Sequence, residues 1–152
     1  MLALLNDAGF LEHIGDRGVR TIDEARDYIA SGAVASYERH GFGLYLVTLP
    51  SDGSGGGTAI GLCGLVKRDT LDDADLGFAF LPDWRRQGYA REAASAVVAY
   101  SRGVLRLPRL AAIVAPRNHA SLRLLADLGF RYERRVRMAP DVEEIELHGL
   151  AL

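Results

Sequence analysis

A stretch of small and apolar residues between Gly88 and Gly103 constrains the fold of this chain more than any other sequence feature. These residues recur at i, i+3, i+4, i+7, i+8 and i+11, a spacing typical of a helix that packs one face against a sheet. Small side chains on that face allow the helix to approach the sheet closely. The members of the face are Ala90, Ala93, Ala94, Val97, Val98 and Ser101.

Predicted strands lie on both sides of this helix. The residues from Ala74 to Leu81 have strand character and end at Pro82, which cannot donate a hydrogen bond within a sheet. A short apolar run from Leu110 to Ala115 follows the helix. Strand, helix and strand in this order predict a βαβ unit with parallel strands and a right-handed crossover.

The remaining strands are predicted to be antiparallel. Aromatic and β-branched residues predict strands at Phe42–Leu49 and Thr58–Val66, joined as a hairpin by the flexible, glycine-rich residues 51–57. A closing hairpin is predicted from Phe130 onward, around the turn Ala139-Pro140-Asp141. The fold class is therefore α/β (α+β), with a mixed sheet that has an antiparallel meander, one parallel crossover and a final hairpin.

Two helices are predicted before the first strand. Apolar residues at helical spacing predict one helix over Leu2–Ile14. Thr21 and Glu24 have the spacing of a capping box and begin the second helix, which is predicted to stop at Ser31–Gly32.

Composition excludes several classes of partner. The 152 residues fit one domain, residues 1–152, and 18 basic and 20 acidic side chains leave a formal charge of −2. No global positive field would therefore hold a nucleic acid or a membrane, and we expect neither as a partner. Cys63 is the single cysteine, and the four histidines share no ligand spacing, so we expect no metal, no disulfide and a cytoplasmic location.

The loop between the third strand and the long helix is a candidate anion site. The start of a helix presents N–H groups without partners and a partial positive charge to whatever lies there. Gly88 allows a ligand oxygen to approach the backbone, and Arg85, Arg86 and Arg91 add positive charge. A structural turn with a solvated face is the alternative that these residues leave open.

Two motifs resemble the GNAT superfamily of N-acetyltransferases. Residues 85–90, Arg-Arg-Gln-Gly-Tyr-Ala, fit its R/Q-x-x-G-x-G/A signature. Asn118, which can cap a helix, is followed eleven and twelve residues later by Gly129 and Phe130, as in the family's second motif. The resemblance is greatest to the branch that contains the ribosomal-protein alanine acetyltransferases. It implies a twisted, mostly antiparallel sheet whose two central parallel strands splay apart. The family normally begins with an edge strand, and we expect this strand to be missing here, which would expose a sheet edge and favour a homodimer.

The resemblance also implies where acetyl-CoA, the co-substrate, would bind. The backbone of Phe80 and Leu81 would pair with the pantetheine arm, and the side chain of Asn118 would reach the cofactor from across the splay. The pyrophosphate would lie on the backbone amides of Arg86, Gln87, Gly88, Tyr89, Ala90 and Arg91.

The catalytic residues are less clearly implied. Many family members have a tyrosine seven residues after the motif asparagine that protonates the departing thiolate, and this chain has Leu125 there. Ser121 is the candidate acid in its place, or simply a polar residue of the first helical turn. Asp75, on the strand face of Gly77 and Ala79, is the candidate base, or a surface aspartate of the preceding turn.

The expected reaction is the transfer of an acetyl group from acetyl-CoA to a primary amine by direct attack in a ternary complex. An N-terminal α-amine of a protein, with a reference pKa of about 7.7 to 8.0, needs less deprotonation than a lysine at about 10.4. The alternatives are a small amine, such as a polyamine, an amino acid or an antibiotic, and a CoA-binding sensor without turnover. A strongly acidic acceptor groove would favour cationic small molecules. Candidate residues of that groove are Asp16, Arg17, Arg20, Tyr37, Arg39 and Trp84.

Overall fold

A computed structural model describes residues 1–50, 57–139 and 142–152. It contains a six-stranded sheet in the order β1-β2-β3-β4-β6-β5, in which β3 and β4 are parallel and the other neighbours are antiparallel. The predicted mixed sheet is confirmed. The strands are β1 (Leu44–Leu49), β2 (Thr58–Val66), β3 (Asp75–Phe80), β4 (Arg109–Val114), β5 (Arg131–Val136) and β6 (Ile145–Ala151).

Helices cover both faces of the sheet. Those before β1 pack against Leu62 of β2 and Ala79 of β3. Those after β3 pack on the opposite face, against Cys63 and Leu76. The helices are α1 (Leu2–Leu5), α2 (Ala8–His13), α3 (Ile22–Ile29), α4 (Ala35–His40), α5 (Tyr89–Gly103) and α6 (His119–Asp127).

The sheet consists of two halves that meet at a single point. Strand β3 pairs with β2 along its whole length, and β4 pairs in the same way with β6. Between β3 and β4 the described residues form one paired position, Asp75 opposite Ala111, where the Ala111 N–H donates to the Ala74 carbonyl at 2.9 Å. The two strands therefore separate toward their carboxyl ends, and the predicted splay is confirmed.

The predicted helix over Leu2–Ile14 is wrong in one respect, because two short helices occupy this segment. Asp7 begins α2, and its carboxylate accepts the Phe10 N–H at 3.1 Å. The Asn6 side chain donates to the carbonyls of Leu2 and Val19, which fixes the break. A cap in mid-segment therefore overrides the continuous apolar spacing.

The predicted helix end at Ser31–Gly32 is also wrong. The capping box of Thr21 and Glu24 is confirmed, but after α3 the chain passes through a π-helical turn, Ala30–Val34, directly into α4. Ser31 Oγ donates to the Asp27 carbonyl at 2.7 Å and so stays compatible with the helix. The segment ends at Gly41, whose φ of 75° is the left-handed conformation that glycine adopts readily.

The central elements form as predicted. Helix α5 buries Ala94, Val97, Val98 and Ser101 of its small-residue face. Both predicted hairpins pair as antiparallel strands. The predicted flexible connection at residues 51–57 lies outside the described residues except for Gly57, and the predicted turn at residues 139–141 lies outside them except for Ala139. No helix in the described part of the chain combines the length and the apolar composition that crossing a membrane would require.

Candidate active site

The loop between β3 and α5 has a backbone shaped for an anion. A 3₁₀ turn at Pro82–Trp84 ends β3, and Gln87 Nε2 donates to the Asp83 carbonyl at 2.6 Å, which closes the loop. Arg86 and Gly88 both have positive φ, 59° and 91°. Alternating left-handed residues aim successive N–H groups into one concavity, which is a common way of binding phosphate oxygens.

The first turn of α5 adds further donors to this concavity. The first hydrogen bond of the helix runs from the Glu92 N–H to the Gly88 carbonyl at 3.0 Å. The N–H groups of Gly88, Tyr89, Ala90 and Arg91 precede this bond and have no intrahelical acceptor. No described atom outside the adjoining residues lies within 4 Å of the position a Gly88 Cβ would take, so there is open space above the helix start. These features fit a pyrophosphate.

Arg85, the first residue of the motif, has a structural partner. Its Nε donates to the Phe80 carbonyl at 2.9 Å, and its Nη2 forms an ion pair with Asp7. Burial of Asp7 opposes its ionisation, but hydrogen bonds from Arg85 and from the Phe10 N–H outweigh this effect and lower its pKa. The expectation that Arg85 adds free charge at the diphosphate is therefore wrong, and the exposed side chains of Arg86 and Arg91 remain for that purpose.

The gap between β3 and β4 exposes backbone groups on both edges. The Ala74 carbonyl bonds β4, so strand alternation directs the backbone of Phe78 and Phe80 toward the gap as well. The Leu81 N–H donates instead to the Ile60 carbonyl of the β2 segment at 2.9 Å. The prediction that the Leu81 backbone serves the cofactor is therefore wrong for its N–H group. On β4, the same alternation directs Ile113 toward the gap, because the Ala111 N–H already faces β3.

The start of α6 lies at the end of β4, and α5 starts at the end of β3, so both helices begin at the open end of the gap. Asn118 caps α6: its Oδ1 accepts the Ser121 N–H at 3.1 Å, which leaves its Nδ2 as the side-chain donor for a cofactor. Ser121 is half-buried. Leu125 is 1% exposed and packs in the core with α5.

Asp75 lies at the closed end of the gap. It is 2% exposed, and both of its carboxylate oxygens accept from Arg68 Nε, at 3.1 and 3.2 Å. Burial raises the pKa of Asp75, although the neighbouring Arg68 guanidinium opposes this. The described structure therefore brings Asp75 together with Arg68, and its predicted role as a base stays a prediction.

A cavity of about 400 Å³ lies between the helices before β1 and the first three strands. Gly77, Phe78 and Ala79 of β3 form part of its wall, which places it beside the gap. Arg17 and Arg39, two of the six side chains that the sequence offered for the acceptor groove, line this cavity. The other groove candidates have partners elsewhere: Asp16 pairs with Arg20, the Tyr37 hydroxyl donates to the Leu44 carbonyl, and Trp84 packs on Tyr89.

Lys67 and Arg68 also line the cavity, and the sequence reasoning missed both. They follow β2 in the connection to β3, and a basic pair next to a strand end was the available signal.

The described residues give little support for a metal centre or for a nucleophilic thiol. No cluster of three or more histidine, cysteine, aspartate or glutamate side chains in residues 1–50, 57–139 and 142–152 is arranged to hold a metal ion. Cys63 is buried in the core, and burial raises the pKa of its thiol to about 12, so the reactive thiolate is not formed near neutral pH.

Comparisons with known proteins agree with this geometry. A family model described as an acetyltransferase (GNAT) domain matches residues 1–131. The chain is 42% identical over 60 residues to the uncharacterized N-acetyltransferase YoaA of Bacillus subtilis, a match that covers 40% of this chain and 34% of the relative. The matches to the curated relatives span about a third to a half of those proteins' length.

Solved structures show the same fold at low identity. RimL, a ribosomal L7/L12 alpha-N-protein acetyltransferase in complex with coenzyme A, has a TM-score of 0.82 at 16% identity and covers 99% of this chain and 85% of its own. Spermidine N-acetyltransferase from Vibrio cholerae, in complex with CoA and spermine, has a TM-score of 0.76 at 16% identity, with 97% and 85% coverage. The match to the family model, which spans most of the sequence, shows that the chain belongs to the GNAT acetyltransferase family.

Proposed function

We propose that this protein transfers an acetyl group from acetyl-CoA to the N-terminal α-amine of a protein. The observation that carries the proposal is the gap between β3 and β4, which is closed at Asp75–Ala111 and opens toward the start of α5. An extended cofactor arm can pair with strand edges that have lost their own partners. The helix start at the same end supplies the anion site that a diphosphate needs.

The proposed cofactor contacts are mostly backbone groups. The backbone of Phe78 and Phe80 faces the gap and would pair with the pantetheine amides, and the Phe80 carbonyl also accepts from Arg85 Nε. Asn118 Nδ2 would donate from the β4 side. The N–H groups of the loop and helix start would bind the pyrophosphate. These N–H groups belong to Arg86, Gln87, Gly88, Tyr89, Ala90 and Arg91.

The reaction needs little from side chains. The neutral amine nitrogen forms a bond to the acetyl carbon, the carbon–sulfur bond breaks, and the amine proton leaves to a base or to water. A backbone N–H at the gap would stabilise the negative charge that develops on the thioester oxygen. Ser121, half-buried in the first turn of α6, is the proposed donor of the proton that the leaving thiolate takes up.

Asp75 is the proposed base, since it lies on the strand face that carries Gly77 and Ala79 in the cavity wall. A pKa raised by burial suits a general base that works near neutral pH. Asp75→Asn distinguishes this role from a purely structural one. Loss of a base lowers kcat and removes the acidic limb of the pH profile of kcat/KM, whereas loss of the Arg68 ion pair alone lowers stability and leaves the shape of that profile unchanged.

The α-amine of a protein is preferred to a small polyamine for two reasons. An α-amine is partly neutral near pH 7.5, which suits a site with one buried carboxylate. The TM-score to RimL, 0.82, is also higher than the TM-score to the spermidine N-acetyltransferase, 0.76. A small acceptor such as an amino acid is the second candidate, because a cavity of about 400 Å³ is within the range that holds a small ligand.

The test is an acceptor panel. The protein is incubated with acetyl-CoA and with peptides that have free N-termini, the same peptides with blocked N-termini, amino acids and polyamines, and free thiol is followed over time. We expect thiol release that requires a free α-amine. Binding of acetyl-CoA without release of thiol on any acceptor would indicate a CoA sensor and overturn the proposal.

A further inference from the structure

The cavity beside the gap has an unbalanced set of charges. Four cationic side chains line it: Arg17, Arg39, Lys67 and Arg68. Among the described residues that form its wall there is no aspartate or glutamate. The chain as a whole carries a formal charge of −2, so this local excess of positive charge is not a reflection of the overall composition.

Three of these four cations form no ion pair with a carboxylate among the described residues, although the Asp75 carboxylate attracts Lys67 as well as Arg68. Asp75 lies beneath the wall and pairs with Arg68. In the described part of the chain, no ion pair joins a carboxylate to Arg17, Arg39 or Lys67. Arg17 Nη2 donates at 3.4 Å to the Ile14 carbonyl, and Lys67 Nζ donates to the carbonyls of Leu71 and Asp72. Carbonyl acceptors position these cations but do not neutralise them.

The cations are brought together from distant parts of the chain. Arg17 follows α2, Arg39 lies in the last turn of α4, and Lys67 and Arg68 follow β2. The π-helical turn that joins α3 to α4 carries Ser31, Gly32 and Ala33 along the same wall. Small side chains there leave room in the cavity, and the continuous helix places Arg39 at its rim.

We infer that the acceptor is an amine that carries carboxylate groups close to the reacting nitrogen, such as an acidic N-terminal peptide segment, and that a polyamine is a poor acceptor. The inference rests on the proposed function. The amine would lie at Gly77–Ala79, beside the gap, and the carboxylates would meet the guanidinium groups of Arg17 and Arg39 and the free Nη groups of Arg68. Guanidinium groups bind carboxylates in a paired, directional way, and like charge repels a polycation.

The test uses two peptides that differ only in charge: Ala-Asp-Asp-Gly amide and its isosteric partner Ala-Asn-Asn-Gly amide, with spermidine as the polycation. Binding of each to the protein saturated with CoA is measured by calorimetry, and kcat/KM is measured with acetyl-CoA. We expect the acidic peptide to be favoured by at least about tenfold in both quantities at low salt, and less at high salt, because the attraction is screened.

Variants show whether the cavity is the cause. Arg39→Gln should lower the acidic-to-neutral ratio by about fivefold or more, and Arg17→Gln should act in the same direction. Arg134→Gln, an exposed change on β5, is the matched control and should leave the ratio unchanged. Thermal unfolding of each variant separates a folding defect from a loss of preference, and the ratio itself does not depend on the amount of folded protein.

The outcomes separate the two proposals. A ratio near one, or tighter binding of spermidine, overturns this inference even if acetyl transfer to an α-amine is observed. Absence of thiol release on every acceptor overturns the proposed function. The calorimetric preference for the acidic peptide is measured without turnover and so still decides the inference.

Discussion

The two sides of the candidate site are built in different ways. The proposed cofactor side consists mainly of backbone N–H groups from one continuous segment, Arg86–Arg91, and of strand edges. The proposed acceptor side is a cavity whose cationic side chains come from three segments that lie far apart in the chain. Backbone groups recognise what all acyl-CoA molecules share, whereas side chains can change without loss of the fold. We therefore expect the first side to carry the chemistry shared by the family and the second to determine the identity of the acceptor.

The largest expected effect concerns the cofactor side. Gly88→Glu should lower the affinity for acetyl-CoA by about 100-fold or more, because the residue has a φ of 91° and the new carboxylate would face the pyrophosphate. Calorimetric titration with CoA measures this change. Gly103→Glu, at the exposed far end of α5, is the control and should bind CoA normally. Unchanged affinity in Gly88→Glu would mean that the pyrophosphate binds elsewhere.

The next effect concerns the chemistry between the two sides. Ser121→Ala should lower kcat by about 100-fold if its hydroxyl protonates the thiolate, and leave the affinity for CoA nearly unchanged. The Ser121 N–H, which bonds Asn118, is retained in this variant. Ser95→Ala, an exposed change on α5, is the control. Equal kcat in the two variants would remove Ser121 from the mechanism and leave water as the proton donor.

A smaller effect concerns the contact that fixes the cofactor loop. Asp7→Ala removes both the cap of α2 and the partner of Arg85, and should lower the free energy of unfolding by about 1–2 kcal/mol. Asp23→Ala removes an exposed carboxylate from an ion pair with Arg26 and should cost clearly less. Urea unfolding of the two variants compares them, and equal losses would show that the Asp7 cap and ion pair together stabilise the fold no more than an exposed ion pair does.

The lowered pKa of Asp7 predicts that the free energy of unfolding depends on pH. The pKa of Asp7 is lower in the folded protein, so its ionised form stabilises the fold. This contribution is fully present above the unfolded pKa, about 3.9, and is lost as the pH falls through the lower folded value. The unfolding free energy of Asp7→Asn, which keeps a capping side chain, should therefore converge with that of the parent protein at acidic pH. A constant difference at all pH values would contradict the assigned ion pair.

The smallest effect concerns backbone conformation in the loop. Arg86 has a φ of 59°, which is unfavourable for a residue with a side chain. Arg86→Gly should relieve this cost and change the free energy of unfolding by no more than about 1 kcal/mol. Affinity for CoA should fall only a few-fold, since the N–H groups remain and one exposed charge is lost. A loss as large as that in Gly88→Glu would show that the arginine side chain, rather than the backbone, holds the phosphate.

The sequence predicted local features correctly and failed for contacts between distant residues. The βαβ unit, the caps at Thr21 and Asn118 and the glycine at residue 129 depend on local spacing, and all of them form as expected. Contacts between distant residues could not be read from the sequence. Arg85 looked like a phosphate ligand, and its partner Asp7 lies 78 positions away.

The errors near α3 have a similar origin. Ser31–Gly32 has the composition of a helix end, but Ser31 bonds back to Asp27 and the chain remains helical as far as His40. This continuation positions Arg39 in the cavity wall. The sequence suggested Arg17 and Arg39 as groove residues without a means of choosing between them and Asp16 or Arg20, because only the tertiary structure decides which side chains face the same cavity.

The structure of the complex with CoA tests the central claim most directly. The account predicts pyrophosphate oxygens within hydrogen-bonding distance of the N–H groups of Gly88–Arg91, and a pantetheine arm that lies between β3 and β4 with its sulfur beside Phe78–Phe80. A pyrophosphate bound away from α5, with the arm outside the gap, would contradict it.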